Sequence, residues 1–243
     1  MAEPTRHDPA KAARILKVTR DSLLRRGVRG LSVADIARAA QIGKGTLYLY
    51  WRTKEELVAE VVARDFLDAT GEYLAGIEAD ADAARPHRLC WALFRSTLEH
   101  PFVRAVQVAD VHTIGLLTEH EETRRLLDLL GPGVLSRDLL ELWREHGMAR
   151  RDWALDHQAY ALRALLAGFF TLVTGTSTEP IADLKPVFEA TVRALLDPPD
   201  APSGAVSYSG SDSGSTEAAA VAALRLLGEQ RDTLRAMLAP VEI

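Results

Sequence analysis

The segment Gly43-Lys44-Gly45-Thr46 combines residue types that suit contact with an anionic ligand. Glycine has no side chain to hold a phosphate away from the backbone, and the free N–H groups at a helix N-terminus carry partial positive charge. Lys44 adds a long cation that can reach a phosphate or a guanine edge. We therefore expect residues 43–46 to form the first turn of a helix that contacts DNA.

The residues after this turn divide between two faces of the predicted helix. Tyr48 and Tyr50 are two positions apart, so they point about 200° apart and have different roles. Leu47 and Trp51 are four apart, and this spacing predicts the buried face that fixes the helix. Leu49 can touch a thymine methyl group or simply be exposed.

Charge is segregated along the chain. The formal net charge of all 243 residues is −5, yet residues 1–54 contain twelve Lys and Arg against four Asp and Glu, a balance of +8 that leaves −13 for the remainder. Because neutralisation of phosphates supplies most non-specific affinity for DNA, this asymmetry places the polyanion-binding surface at the N-terminus.

Capping signals place the predicted DNA-contacting helix in a helix-turn-helix. A first helix is predicted from about Pro9 to Gly27 by apolar positions at helical spacing. Ser32 and Asp35 have the spacing of a capping box that begins a short helix ending near Gln41, and Thr53 begins a long helix in the same way. Two short helices around a tight turn, flanked by longer ones, form a helix-turn-helix.

The stretches 31–37 (LSVADIA), 42–51 (IGKGTLYLYW) and 54–57 (KEEL) resemble the TetR family of bacterial transcriptional regulators. The resemblance covers about residues 12–58. It implies an all-α protein with an N-terminal three-helix DNA-binding domain, a larger helical domain for ligand binding and dimerisation, and repression that a small molecule relieves. By resemblance, Tyr50 and Lys54 match phosphate-contacting positions, Tyr48 matches a position at the DNA edge, and Ser32 matches a phosphate donor.

Three residues depart from the family pattern. Gln41 stands where the turn usually has glycine, and it fits there if its φ stays negative. Gly43 replaces a small polar cap, and Leu49 replaces a polar aromatic residue or histidine. The expected DNA-binding set is Ser32, Gly43, Lys44, Gly45, Thr46, Tyr48, Leu49, Tyr50 and Lys54.

The rest of the chain is predicted to be helical, with two exceptions. Helical patterns recur at 86–99, 101–117, 119–130, 133–147, 156–175 and 180–196. The Ser-, Gly- and Pro-rich stretch 198–216 is expected to be a flexible linker before an amphipathic helix at 217–239. That helix either packs onto its own chain or frays, or it offers a leucine stripe to a partner. The stripe comprises Leu224, Leu227, Arg231, Leu234 and Leu238. We therefore expect a DNA-binding domain at 10–57 and an effector-binding and dimerisation domain at 58–197.

Candidate ligand-binding residues are the large side chains on the predicted helices of the second domain: Trp91, Phe94, Phe102, His112, Leu116, Trp143 and Tyr160. Plain core packing is the alternative for each. His112 and His120 are eight residues apart, without the spacing of a metal site, so we expect no metal and no cofactor.

The stretch 156–175 is apolar nearly all round, which is expected of a helix buried by its own domain on one side and a partner on the other. We expect a homodimer interface at Leu162, Leu165, Gly168, Phe169 and Leu172, and a wholly intramolecular core is the competing explanation.

The sequence favours one class of function over two others. It lacks a nucleophile–base pairing, a glycine-rich phosphate loop after a strand and metal-ligand spacing, so we expect no enzymatic activity. Residues 164–177 are too few for a membrane span, and the polar first residues lack a secretory signal, so we expect a cytoplasmic protein. The leading hypothesis is a dimeric repressor that a small apolar or amphipathic molecule releases from a double-stranded DNA operator. The alternative is a DNA-bound adaptor controlled by a protein partner.

Overall fold

A computed structural model describes residues 8–108, 110–115, 121–130, 134–175, 183–199 and 213–238. The helices are α1 (Pro9–Arg26), α2 (Val33–Ala39), α3 (Lys44–Tyr50), α4 (Lys54–Ala79), α5 (Pro86–Glu99), α6 (Pro101–Gln107), α7 (Val111–Ile114), α8 (Glu121–Leu130), α9 (Val134–Glu145), α10 (Leu155–Thr174), α11 (Leu184–Leu196) and α12 (Ser213–Met237). A 3-10 turn at Ala81–Ala84 precedes α5, and no strand occurs in these ranges. The prediction of an all-α protein is confirmed.

Local capping determines where α1 begins and ends. The Asp8 carboxylate accepts hydrogen bonds from the Ala10 and Lys11 N–H groups at 3.0 and 3.3 Å. Gly27, at φ +64°, ends the helix in the left-handed region that favours glycine. Both predicted boundaries of α1 are confirmed.

The turn between α2 and α3 corrects one expectation. Gln41 has φ +55°, so its backbone is left-handed and not in the negative-φ region that we expected. The Ile42 N–H donates to the Ala37 carbonyl at 2.9 Å and the Gln41 N–H donates to the Arg38 carbonyl at 3.1 Å. This pair of bonds is a Schellman motif, which requires a left-handed residue whatever its side chain.

The predicted capping box at the start of α4 is confirmed in one of its two bonds. The Glu56 N–H donates to Thr53 Oγ1 at 3.1 Å, but the Glu56 carboxylate accepts from the N–H of Arg52, at 2.8 Å, and not from that of the capping residue Thr53. The helix runs to Ala79, as the apolar periodicity predicts.

The predicted helix at 101–117 is two helices, α6 and α7. Asp110 separates them, because its carboxylate accepts from the His112 N–H at 3.0 Å and from Thr113 Oγ1 at 2.6 Å. A side chain that satisfies a backbone donor in this way competes with the helical hydrogen bond and starts a new helix.

The chain divides into two compact units. The first unit comprises the described residues within Met1–Ala69, His100–Gly131 and Arg231–Ile243, and the second comprises those within Thr70–Glu99 and Pro132–Gln230. The helices α6 to α8 therefore group with the helix-turn-helix, whereas the sequence predicts that they belong to the effector domain.

Within the second unit, the first part of α12 packs on its own chain. Ala219, Ala223 and Leu227 are buried. The Ser215 hydroxyl donates to the His146 carbonyl at 2.6 Å, and the Arg85 guanidinium donates to Thr216 Oγ1 at 2.8 Å. The helix begins at Ser213, so residues 213–216 of the expected linker form its first turn.

Two further observations concern the described ranges. None of their helices is both long enough and apolar enough to cross a membrane. They also contain no group of three or more His, Cys, Asp or Glu side chains arranged to hold a metal ion.

Candidate nucleic-acid interface

The start of α3 presents small and cationic residues to solvent. Gly43, Lys44 and Gly45 are exposed, and Thr46 is half-buried. Gly43 occupies the N-cap position at φ −74° and supplies no side-chain hydrogen bond, so no cap occupies the first amides of the helix. A Cβ on Gly45 would meet nothing within 4 Å, which means that packing within the chain does not explain this glycine.

The opposite face of α3 is locked into the core. Leu47 and Trp51 are buried, as their spacing predicts. The Trp51 indole N–H donates to Glu60 Oε2 at 2.5 Å, and the Arg64 guanidinium donates to Glu60 Oε1 at 2.6 Å. Because Glu60 is itself buried, this bond fixes the end of α3 against α4. Sequence reasoning missed Glu60, whose only signal is a carboxylate on the apolar face of a helix.

The outer face of α3 carries Tyr48, which is 47% exposed, and Leu49, which is 64% exposed. An exposed leucine at the centre of a short helix contributes nothing to the chain's own core, and a thymine methyl group would cover it.

Tyr50 is held by the start of α1. Its hydroxyl accepts from the Asp8 N–H at 3.0 Å and donates to the Asp8 carbonyl at 3.4 Å, and its ring stacks on Trp51 with centroids 5.6 Å apart. Since a phenol has a single O–H donor, Tyr50 must give up the Asp8 carbonyl in order to donate to a phosphate.

The remaining predicted DNA contacts lie at helix starts. Ser32 is the N-cap of α2, and its hydroxyl accepts from the Asp35 N–H at 3.4 Å. Lys54 is the first residue of α4 and is half-buried. Among the described residues, no carboxylate lies within 4.0 Å of the Lys44 or Lys54 ammonium group, so both charges are available to an outside anion.

Two of the candidate ligand-binding residues, Trp91 and Phe94, belong to an aromatic cluster in the second unit. We define the aromatic cluster as Trp91, Phe94, Phe169, Phe170 and Phe188. Ring centroids are 5.8 Å apart for Trp91 and Phe94, and 4.7 Å apart for Phe94 and Phe170. Phe94 and Phe188 are buried, whereas the other three are half-buried and form an open edge. Sequence reasoning did not propose Phe170 or Phe188, because their contacts with Phe94 join distant parts of the chain.

The structure does not bring the other candidates to this cluster. Phe102 and His112 belong to the first unit, where Phe102 is buried with the Arg20 guanidinium 5.7 Å from its ring centroid. Trp143 is buried and its indole N–H donates to the Ala84 carbonyl at 2.9 Å. Tyr160 is exposed, and Leu116 lies outside the described residues.

Burial keeps two titratable side chains of the second unit, His87 and Cys90, in their neutral forms. It lowers the pKa of His87 to about 4, with the charges of Arg193, Arg85 and Arg88 acting in the same direction. His87 is therefore a neutral ring near pH 7, 2.7 Å from the Arg193 guanidinium. Burial also raises the pKa of the Cys90 thiol to about 12, which leaves it protonated and unreactive.

The expected interface residues occupy different depths on α10. Gly168 and Leu172 are exposed, and Leu165 and Phe169 are half-buried. Leu162 is buried in its own unit, so it supports α10 from behind and does not face solvent. The exposed side of α10 is nevertheless apolar, with Leu172 and Val173 54% and 42% exposed.

Comparison with known proteins identifies the N-terminal helices. The family described as "Bacterial regulatory proteins, tetR family" matches residues 15–61. An uncharacterized HTH-type transcriptional regulator of Haemophilus influenzae is 32% identical over 75 residues, 31% of this chain and 38% of the relative. The HTH-type transcriptional repressor KstR2 of Mycolicibacterium smegmatis is 32% identical over 131 residues, 53% of this chain and 58% of the relative. The matches thus span about half the length of these curated relatives or less.

The fold also has a counterpart among solved structures. A protein with unknown function from Rhodococcus sp. RHA1 superposes with a TM-score of 0.59 at 19% identity, covering 79% of this chain and 97% of that one. About a fifth of the present chain therefore has no equivalent there. The family match to residues 15–61 falls on α1 to α4, so the N-terminal helices of this chain are similar to those of the tetR family of bacterial regulatory proteins.

Proposed function

We propose that this protein is a transcriptional regulator that binds double-stranded DNA sequence-specifically, and that it is not an enzyme. The observation that carries the proposal is the division of α3 into a locked inner face, with Leu47 and Trp51 buried, and an outer face of exposed Lys44, Tyr48 and Leu49. A helix that enters the major groove needs this division, because its inner face must fix the orientation of the side chains that contact base edges.

Each predicted contact has a separate task in this proposal. Lys44 and Leu49 reach base edges, where a lysine suits guanine and an apolar group suits the thymine methyl. Ser32, Tyr48, Tyr50 and Lys54 contact phosphates and set the register of the helix without reading sequence. Gly43, Gly45 and Thr46 let the backbone of the first turn come close to the DNA.

The experiment is a comparison of single variants on duplex DNA that the wild-type chain selects from a random pool. Lys44→Ala, Tyr50→Phe and Lys54→Ala are expected to weaken binding, and Lys54→Ala should also lower the slope of log affinity against log salt by about one. Arg95→Ala, which removes a cation paired with Glu99 at 3.1 Å in the second unit, is the control. Unchanged binding in all three variants would remove α3 and the start of α4 from the DNA surface.

A homodimer is the second part of the proposal. The exposed apolar side of α10 carries Gly168, Leu172 and Val173, and Val187 on α11 is 43% exposed. Exposed apolar side chains gathered on one helix are expected where a soluble protein associates with a partner. Two-fold symmetry would then give two copies of α3 for the two half-sites of one operator.

Repression relieved by a small apolar or amphipathic molecule is the third part. The open edge of the aromatic cluster supports it, because apolar ligands bind to surfaces lined mainly by aromatic and aliphatic side chains. The relative KstR2 is described as a repressor, which favours the same direction of control. The protein has a form that binds DNA and a form that does not. An effector of this kind must have the higher affinity for the form that does not bind DNA.

The adaptor hypothesis has less support. It requires a leucine stripe on the C-terminal helix that is open to a protein partner. Leu227 and Leu234 of that stripe are buried and Leu224 is half-buried, while Val221, outside the stripe, is 68% exposed.

A further inference from the structure

The described cations of residues 8–54 fall into three groups according to their partners. Six of the described ones, Lys11, Lys17, Arg20, Arg26, Arg38 and Arg52, form ion pairs with carboxylates of the chain. Arg14 donates to the Ala40 carbonyl at 2.8 Å. Among the described residues, no carboxylate lies within 4.0 Å of the charged groups of Arg25, Arg29, Lys44 or Lys54. Lys44 and Lys54 already have a place in the proposed DNA contact, whereas Arg25 and Arg29 do not.

We call Arg25 and Arg29 the turn arginines: Arg25 lies at the end of α1, and Arg29 lies within the turn that joins α1 to α2. Both are exposed. Arg25 lies in the last turn of α1, where a cation also complements the helix dipole. Arg29 lies beyond the end of that helix, so the dipole does not account for it.

Buried neighbouring residues and a backbone hydrogen bond fix the turn that carries Arg29. Val28 and Leu31, on either side of Arg29 and Gly30, are buried. A Cβ on Gly30 would lie 2.7 Å from the Arg26 carbonyl oxygen, and the Val28 N–H donates to the His112 carbonyl at 2.9 Å. The backbone at Arg29 is therefore fixed, and a fixed backbone lowers the entropy lost when its side chain binds an anion.

The turn arginines lie close in sequence to the start of α2. Arg29 precedes Ser32 by three residues, and the Arg26 guanidinium reaches the Asp35 carboxylate at 3.7 Å, which brings the end of α1 against the first turn of α2. Asp35 neutralises Arg26 and Arg38 but neither turn arginine. Within the part of the chain that the structure describes, positive charge without a carboxylate partner thus occurs at a second place, separate in sequence from Lys44 and Lys54.

We propose that Arg25 and Arg29 form a second phosphate-binding patch that contacts the DNA backbone beside the segment read by α3. The proposal rests on the proposed DNA-binding function and extends it. The ligand is the sugar–phosphate backbone of a duplex, and the contact carries no base information, because an arginine on a phosphate fixes position without reading sequence. The patch contributes to affinity for every duplex, and it enlarges the footprint beyond the predicted set of contacts.

Its salt dependence gives the patch a measurable signature. Each phosphate neutralised on B-form DNA contributes about 0.9 to the slope of log affinity against log salt. Loss of both turn arginines should lower that slope by about 1.8 for each bound protomer. When the salt concentration rises from about 50 to about 200 mM, the ratio of the wild-type affinity to the affinity of the double variant should then fall roughly tenfold.

The experiment measures fluorescence anisotropy of a labelled random-sequence duplex of about 30 base pairs, long enough for two half-sites one helical turn apart. The full-length wild type is compared with Arg25→Ala/Arg29→Ala, with each single variant, and with Arg25→Lys/Arg29→Lys. The matched control is Lys17→Ala/Arg95→Ala, which removes two exposed cations that have carboxylate partners. Circular dichroism melting shows whether each variant is folded, and the single variants carry the test if the double variant is not.

The expected result is a lower slope in the alanine double variant, about half that loss in each single variant, and a wild-type slope in both the lysine and the control double variants. A wild-type slope in Arg25→Ala/Arg29→Ala would overturn the patch and leave the proposed function intact. A change in melting temperature without a change in slope would assign the turn arginines to α1 stability alone, which also overturns the patch. Absence of any duplex binding by wild type at low salt would refute the proposed function itself.

Discussion

Asp65 is predicted to hold α6 onto the helix-turn-helix unit, and its replacement by alanine should release the start of α6. The side chain is 3% exposed, and one carboxylate oxygen accepts from the Phe102 N–H at 2.8 Å and the Val103 N–H at 3.4 Å. The other oxygen accepts from the Arg20 guanidinium at 3.2 Å. A single carboxylate of α4 therefore caps α6 and pairs with α1, all within the first unit.

The cost of Asp65→Ala follows from what it leaves unpaired. A buried donor that loses its partner costs about 1–3 kcal/mol, and an ion pair with a half-exposed arginine adds up to about 1 kcal/mol. We expect a loss of roughly 1–4 kcal/mol from the local stability of α6, which corresponds to about 5- to 900-fold faster amide exchange. Asp65→Asn keeps one oxygen as an acceptor for the amides and should lose much less.

Hydrogen exchange followed by mass spectrometry on peptides covering α6 measures this loss directly, with a peptide from α9 as internal reference. Asp68→Ala is the matched control, because Asp68 is exposed on the same helix one turn further on. Exchange in α6 that Asp65→Ala leaves within threefold of wild type would refute the reasoning. Equal acceleration by Asp65→Asn would show that the charge, and not the capping bonds, holds α6.

Four further predictions follow from single positions. Gly168→Arg should convert the homodimer to monomers in sedimentation, because a large cation on the exposed apolar side of α10 would be desolvated at the interface, and a stable wild-type monomer that binds DNA tightly would contradict the dimer. Gln41→Gly should stabilise the protein against urea by roughly 0.5–1 kcal/mol by relieving φ +55°, and Gln41→Ala, which stays in the same strained region, should give no gain. Gly27→Ala should destabilise the first unit, because its Cβ would lie 2.3 Å from the His112 ring and because alanine is strained at φ +64°. Adding His112→Ala should recover part of the lost melting temperature, and no recovery would assign the whole loss to the positive φ. The probe for release from DNA is an apolar molecule that shifts the wild-type melting temperature. Trp91→Ala, at the open edge of the aromatic cluster, should reduce the release that this molecule causes without weakening DNA binding itself. If the affinity of the protein for the molecule were identical with and without DNA, release by this route would be excluded.

The elements that local chemistry determines were the ones that the sequence predicted well. The start of α1 at Asp8, its end at Gly27 and the cap that Thr53 places on α4 each depend on residues within four positions of one another. The buried face of α3 followed from spacing alone, since Leu47 and Trp51 can share only one side of a helix.

The features that the sequence did not predict depend on contacts between distant residues or on backbone conformations that residue type alone does not indicate. The bond from Tyr50 to Asp8 joins positions 42 apart, and the cap that Asp65 places on Phe102 joins positions 37 apart. Gln41 is left-handed because the Schellman motif requires it, although the residue type argues against that conformation. Asp110 divides α6 from α7 through side-chain bonds that a helical periodicity cannot reveal.

Selection from a random duplex pool with the full-length wild-type chain tests the central claim most directly, because it asks whether this protein reads DNA sequence. We predict enrichment of a pseudo-palindromic motif whose half-site centres lie about one helical turn, roughly 10 base pairs, or more apart, as two copies of α3 related by a two-fold axis require. We also predict that Lys44→Ala relaxes the preference within each half-site while Lys54→Ala leaves it unchanged and lowers affinity for all sequences. A pool that remains random after repeated selection, under conditions in which the protein binds duplex DNA, would contradict the claim that the exposed face of α3 recognises sequence.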